Sequence, residues 1–221
     1  MHLEGELEEL ERNFSAARFW RLVERVKAEP ELARIYGDRI AEIDARRFRR
    51  RSMSLRAGTA MMLLPLMLSI PLFRLAAELE GAAQVALFLL ATLMLMSTMH
   101  TLFHILAGRL LGIGFLYYFL NGPARIEPTL KIHYGTYLRA TPARRAALHL
   151  SGIAGSVLGS FLGLVAALRT GGGEAALVLA LLFLLNIPFE FAPPLLVRLG
   201  LKSFRKSDAY RAFRELRQVR R

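Results

Sequence analysis

Three of the five histidines in this 221-residue chain fall within long apolar stretches. His100 and His104 stand four apart, so on a helix they share one face. Two imidazoles at that spacing can bind a single metal ion. His149 lies near the start of a later apolar stretch, and Glu190 lies in a proline-broken one. The chain has no cysteine. A thiolate site and a disulfide framework are therefore excluded, and any metal must be held by His, Asp or Glu.

Depth groups these residues. A helix rises about 1.5 Å per residue. Counted from the nearest flanking arginine, His100 is about 13 Å deep, His104 about 7–8 Å, His149 about 6 Å and Glu190 about 12 Å. Three different spans thus carry ionisable groups in the same half of a bilayer. Charged groups at mid-bilayer cost at least ~2.5–3.5 kcal/mol, so they face the bundle interior and mark function. The bland alternative is a packing cluster, with neutral histidines bonded to Ser97, Thr98, Thr101 or Asn186.

The elements that must position these groups are mostly membrane spans. The chain is 54% hydrophobic and 22% charged, and the two classes are segregated. Spans are expected at about 55–73, 82–107, 146–168 and 175–197. The fold class is then an all-α polytopic membrane protein with about four transmembrane helices, a small cytoplasmic-side β-hairpin and N-terminal amphipathic helices. Residues 1–54 read as a cytoplasmic helical extension, 55–200 as the transmembrane domain, and 201–221 as a basic amphipathic tail helix.

In the extension, Leu3, Leu7, Leu10, Phe14 and Ala17 recur at helical spacing, widened by Phe19, Trp20, Leu22, Val23 and Val26. One helix is expected to end near Glu29, before Pro30. A second runs from about Glu31 to Arg51, with a break at Gly37, and closes in an arginine cluster from Arg46. The tail is expected to start at Ser207 as N-cap, with Ala209, Phe213 and Leu216 on one face.

Net charge is +12. In a soluble chain that would suggest nucleic acid, but here Lys and Arg gather beside spans. The stretch from Arg109 to Arg145 holds six basic residues and one Glu, and the tail from Arg198 holds nine basic and two acidic. The turns at 74–81 and 169–174 hold one Arg each. The charge bias expects a multi-pass plasma-membrane protein with both termini and the central loop in the cytoplasm, contacting membrane lipids and no nucleic acid. The start is acidic and lacks an apolar core, so no cleavable signal peptide is expected.

Within the loop at 113–140, Phe115 to Leu120 is aromatic, Asn121-Gly122-Pro123 is a turn signal, and Leu130, Ile132 and Tyr134 alternate with Lys131 and His133. Gly155, Gly159 and Gly163 recur at intervals of four, a pattern that lets helices approach closely.

From Ala82 to Tyr210 the chain resembles the site-2 protease family of intramembrane zinc metalloproteases. His100-Thr101-Leu102-Phe103-His104 occupies the place of the family's H-E-x-x-H motif. Arg144-Arg145 leading to Ser151-Gly152 resembles the start of the next family span, and Asn186-Ile187-Pro188 the Asn-Pro break. The resemblance implies a zinc site and a hydrolase fold that binds transmembrane peptide segments, with Leu130, Ile132, Tyr134 and Asn186 toward substrate. It departs where Thr101 replaces the general-base glutamate, which implies proteolysis weak or lost, a pseudoprotease. An active metallopeptidase using Glu190 or His149 as base, and a membrane scaffold, are the alternatives. Asp208, in Lys206-Ser207-Asp208-Ala209-Tyr210, resembles the family's Asp-Gly ligand motif with Ala in place of Gly. Glu190, which fits by depth but not by the family's spacing, is preferred to Asp208, which lies eleven residues beyond Val197 and outside the expected span, and His149 is a further alternative for the third ligand.

Overall fold

The computed structural model describes residues 3–48, 52–121 and 127–219. Arg49 to Arg51 of the arginine cluster and Gly122-Pro123 of the turn lie outside the described residues. In chain order the elements are α1 (Leu3–Arg12), α2 (Ala16–Ala28), α3 (Pro30–Arg47), β1 (Ser52–Met53), α4 (Leu55–Ala77) and α5 (Gly81–Leu111). Then follow β2 (Phe115–Asn121), β3 (Glu127–Ile132), α6 (Tyr134–Arg139), α7 (Pro142–Arg169), α8 (Gly173–Phe191) and α9 (Pro193–Arg198). A 3-10 turn, Lys202–Lys206, leads into α10 (Asp208–Val219).

The fold is all-α and polytopic. α4, α5, α7 and α8 are long and apolar enough to cross a membrane. The chain forms two compact units, Met1–Met53 with Leu111–Thr141, and Ser54–Leu110 with Pro142–Arg221. The central loop therefore packs with the N-terminal helices.

In the first unit the apolar face of α1 and α2 is buried: Leu3, Leu7, Leu10, Phe19, Leu22, Val23 and Val26 share a core with Ala33, Ile40 and Ile43 of α3. The single helix expected to reach Glu29 is instead two. The chain breaks after Arg12, and Ser15 takes extended backbone as N-cap of α2. Asn and Ser have low helix propensity, and the break lets both helices lay their stripes on one core. α3 runs unbroken through Gly37. A Cβ there would make ordinary contact with α6, 3.5 Å from the Gly135 carbonyl oxygen. The hairpin of β2 and β3 is present, with β1 adding a third antiparallel strand in the order β1-β2-β3. The strand pattern expected to continue through Tyr134 stops at Ile132. His133 caps α6, its Nδ1 accepting from the Thr136 amide, and Tyr134 is helical.

α5 is closed by Gly112 in left-handed backbone at φ 73°. The glycines of α7 meet α5 closely: a Cβ at Gly155 would lie 2.4 Å from the Met99 carbonyl oxygen, and one at Gly159 2.7 Å from Met96 Cα. That is small-residue packing of the kind membrane helices use. Many large side chains of α4 and α8 are exposed, Met67, Leu177 and Phe189 among them, as lipid-facing residues would be. The fourth span, expected to reach Val197, ends at Phe191, and α9 is separate. Pro193 and Pro194 have no N–H for the carbonyls four residues back, so the ladder cannot continue. The chain then turns back through Lys202–Lys206, and α10 packs on α7.

The tail helix differs from expectation in the face it buries. Ala209, Ala212 and Glu215 are buried, while Phe213 and Leu216 are exposed. The small alanines admit α7 closely, and Glu215 reaches the buried Arg145, Nε to Oε2 at 2.7 Å.

Candidate metal centre

His100 and His104 lie side by side on α5, ring centroids 4.9 Å apart. Each imidazole is oriented from α7. His104 Nδ1 lies 2.8 Å from the Leu148 carbonyl oxygen. A carbonyl only accepts, so Nδ1 carries the hydrogen and, in the neutral ring, Nε2 presents its lone pair. His100 Nδ1 shares a 2.9 Å hydrogen bond with Ser156 Oγ. Both Nε2 atoms point at one oxygen of Asp208: Oδ2 is 3.2 Å from that of His100 and 3.0 Å from that of His104. Its other oxygen, Oδ1, lies 2.9 Å from Nδ1 of the buried His149.

Three helices, α5, α7 and α10, therefore converge on one carboxylate. The ion pair of Arg145 and Glu215 fastens α10 to α7 seven residues, about two turns, beyond Asp208, and Arg145 Nη2 also donates to Gln218 Oε1 at 3.2 Å. Burial opposes ionisation of Asp208, yet the imidazoles of His100, His104 and His149 around it hold its carboxyl well below the ordinary range. An ionised carboxylate only accepts, so its approach to a lone pair on His104 Nε2 requires a proton or a cation between them.

His100, His104 and Asp208 form a group that could hold a metal ion, with one ligand atom from each all within 4.8 Å of one another. Two imidazole nitrogens and a carboxylate oxygen are donors that a divalent metal ion accepts, and they leave further coordination positions open. Ligands about 2.0–2.2 Å from a tetrahedral ion are about 3.3–3.5 Å apart, slightly more than the nitrogen–oxygen separations here. The committed Nδ1 atoms supply the outer hydrogen bonds that metal-bound histidines normally make.

The structure brings Asp208, rather than Glu190, to the histidine pair. In sequence Asp208 lies beyond the expected span, and the return of the chain through Lys202–Lys206 carries it back to the histidines. Glu190 sits in α8 outside the group. His149 meets Asp208 instead of joining the ligand atoms of the group. Thr101 is buried, and its hydroxyl donates to the Ser97 carbonyl of its own helix at 3.3 Å. Asn186 Nδ2 donates to Ser160 Oγ, 3.3 Å, rather than to a histidine. Leu130 and Ile132 lie on β3 and Tyr134 on α6. Three contributors were not foreseen: Ser156, Gly152 and the Arg145–Glu215 pair. A Cβ on Gly152 would lie 2.3 Å from His104 Nε2. A glutamate two turns after an aspartate on the tail helix was the available signal for the pair.

No protein-family profile, curated protein or solved structure matches the chain.

Proposed function

We propose that the chain is a site-2-protease-like membrane protein with an intramembrane zinc site at His100, His104 and Asp208, and with proteolysis weak or lost. One observation carries the reading: two imidazole Nε2 atoms from α5 and a carboxylate oxygen from α10 converge while each Nδ1 is already engaged. When bound, zinc would polarise a carbonyl and lower the pKa of a coordinated water. His104 is held by Leu148, His100 by Ser156, and Asp208 by His149. The residue that follows His100 supplies no base. A threonine hydroxyl does not accept a proton at neutral pH as a carboxylate does, and losing a general base costs about 10²–10⁴ in rate.

Such a protein would bind transmembrane peptide segments without efficiently cutting them. β3 is an edge strand, with β2 its partner on one side, and supports capture of an extended segment by strand addition along Leu130 and Ile132. Loop charge supports residence in the plasma membrane with both termini cytoplasmic, in contact with its lipids and with no nucleic acid. A second reading is a membrane scaffold in which a proton on one Nε2, rather than a metal, satisfies Asp208.

Elemental analysis of the purified, detergent-solubilised chain after zinc supplementation separates the two. About one zinc per chain, lost in a His100→Ala/His104→Ala control, supports the proposal. Absence of zinc overturns it and leaves the scaffold. With zinc bound, Thr101→Glu should create cleavage of a transmembrane peptide in a protein inert before, and a native chain that already cleaves would overturn the weak-or-lost assignment.

A further inference from the structure

The tail presents a basic, apolar surface that zinc binding leaves unused. Both of its acidic residues point inward, Asp208 to the histidines and Glu215 to Arg145. The exposed charges of the segment are therefore all positive: Lys202, Arg205, Lys206, Arg214 and Arg217. Among them stand exposed apolar side chains, Leu199 at 70%, Leu201, Phe204, Phe213, Leu216 and Val219 at 54%. The guanidinium carbons of Arg198 and Arg217 lie 6.0 and 5.0 Å from the Phe213 ring centroid, so that ring too sits in cationic surroundings.

We propose that residues 199–219 are a membrane-surface arm that seats in the anionic headgroups of the protein's own bilayer and thereby holds Asp208 over the histidine pair. The arm follows α8 and the six residues of α9. Its Asp208 meets His104, five residues from Arg109 on α5, about 7–8 Å along the helix. α10 thus starts just within the apolar edge and, through Glu215 on Arg145, reaches the level where the spans give way to headgroups. Exposed leucine and phenylalanine enter the headgroup–acyl boundary, and each nearby Lys or Arg strengthens attachment to anionic lipid roughly fivefold. Lipid charge is the complement of this surface, which favours a bilayer over a protein occupant. Because Asp208 is the first residue of α10, seating the arm restrains the carboxylate. This coupling to the site rests on the zinc reading, whereas the seating does not.

The test uses the full chain in nanodiscs of phosphatidylcholine, with or without phosphatidylserine. The protein has no cysteine. Ser203→Cys therefore carries a polarity-sensitive dye at one position. In anionic discs the emission should shift to the blue, and zinc affinity, read by competition with a chelating dye, should rise roughly fivefold or more. The triple variant Lys202→Gln, Arg205→Gln, Lys206→Gln should lose the shift, with attachment down roughly a hundredfold. Emission indifferent to lipid charge overturns the proposal. A shift only in discs holding two chains, whatever the lipid, overturns it in favour of a second copy. A shift with unchanged zinc affinity overturns the coupling. A shift with no zinc bound in either lipid upholds the seating and places the failure in the zinc reading.

Discussion

His149 Nδ1 lies 2.9 Å from Asp208 Oδ1, on the side of the carboxylate opposite the His100–His104 pair. A carboxylate held through one oxygen offers the other in a fixed direction, and losing such an outer contact costs about 10–100-fold in metal affinity. His149→Ala should lower zinc affinity by that amount. His149→Gln, which can still donate to Oδ1, should recover part of it. The cobalt-substituted absorption spectrum should change in His149→Ala and return toward wild type in His149→Gln. Equal zinc affinity in all three proteins would count against this role.

Gly152 stands where α7 crosses the histidine pair. A methyl group there would meet His104 Nε2 at 2.3 Å and His100 Cε1 at 2.8 Å. Gly152→Ala should therefore push both rings away from Asp208. Overpacking of this kind costs about 1–3 kcal/mol of stability. Zinc affinity should fall on the order of tenfold or more through loss of ligand orientation. Isothermal titration with zinc, beside thermal unfolding in detergent, measures both. An unchanged affinity would show that the ring edge facing Gly152 is not needed for binding.

The buried pair of Arg145 and Glu215 holds α10 in place. Glu215→Ala leaves a buried guanidinium without its carboxylate, at a cost of about 3–5 kcal/mol. The expected result is a lower thermal midpoint together with faster hydrogen exchange over Ala209–Gln218. Replacing both partners, Arg145→Met with Glu215→Leu, should restore most of the stability, because no charge is then stranded. If the single variant matches wild type in exchange, the pair is not what fastens the helix.

In the first unit Asp44 is buried on α3, with Lys131 Nζ of β3 2.6 Å from its Oδ2. Burial pushes the Asp44 carboxyl above its ordinary value, and the Lys131 ammonium offsets only part of the rise. The folded chain then binds this proton more tightly than the unfolded chain does. Stability from this carboxyl is greatest at low pH and falls as pH rises through a window that opens near ~3.9 and ends at the raised folded value. Hydrogen exchange of α3 and β3, corrected for its intrinsic pH dependence, should show that decline. Asp44→Asn should flatten it, and a decline that persists in Asp44→Asn must come from another group.

The four spans are legible in the sequence, because each is a local run of apolar residues whose length is set by bilayer thickness. That His100 and His104 share a face is legible too, because four residues on one helix make that geometry unavoidable. The amphipathic stripe of α1 and α2 and the strands of the central hairpin were legible for the same local reason. The tertiary structure alone decided which acid completes the group. Asp208 is 104 residues from His104, and depth counted along a single span cannot register a chain that leaves α8 at its prolines and folds back. Nor could a helical wheel choose the buried face of α10. Phe213 and Leu216 are more apolar than Glu215, yet Glu215 faces inward, because the buried Arg145 on α7 needs a carboxylate and the neighbouring alanines allow the helices to meet.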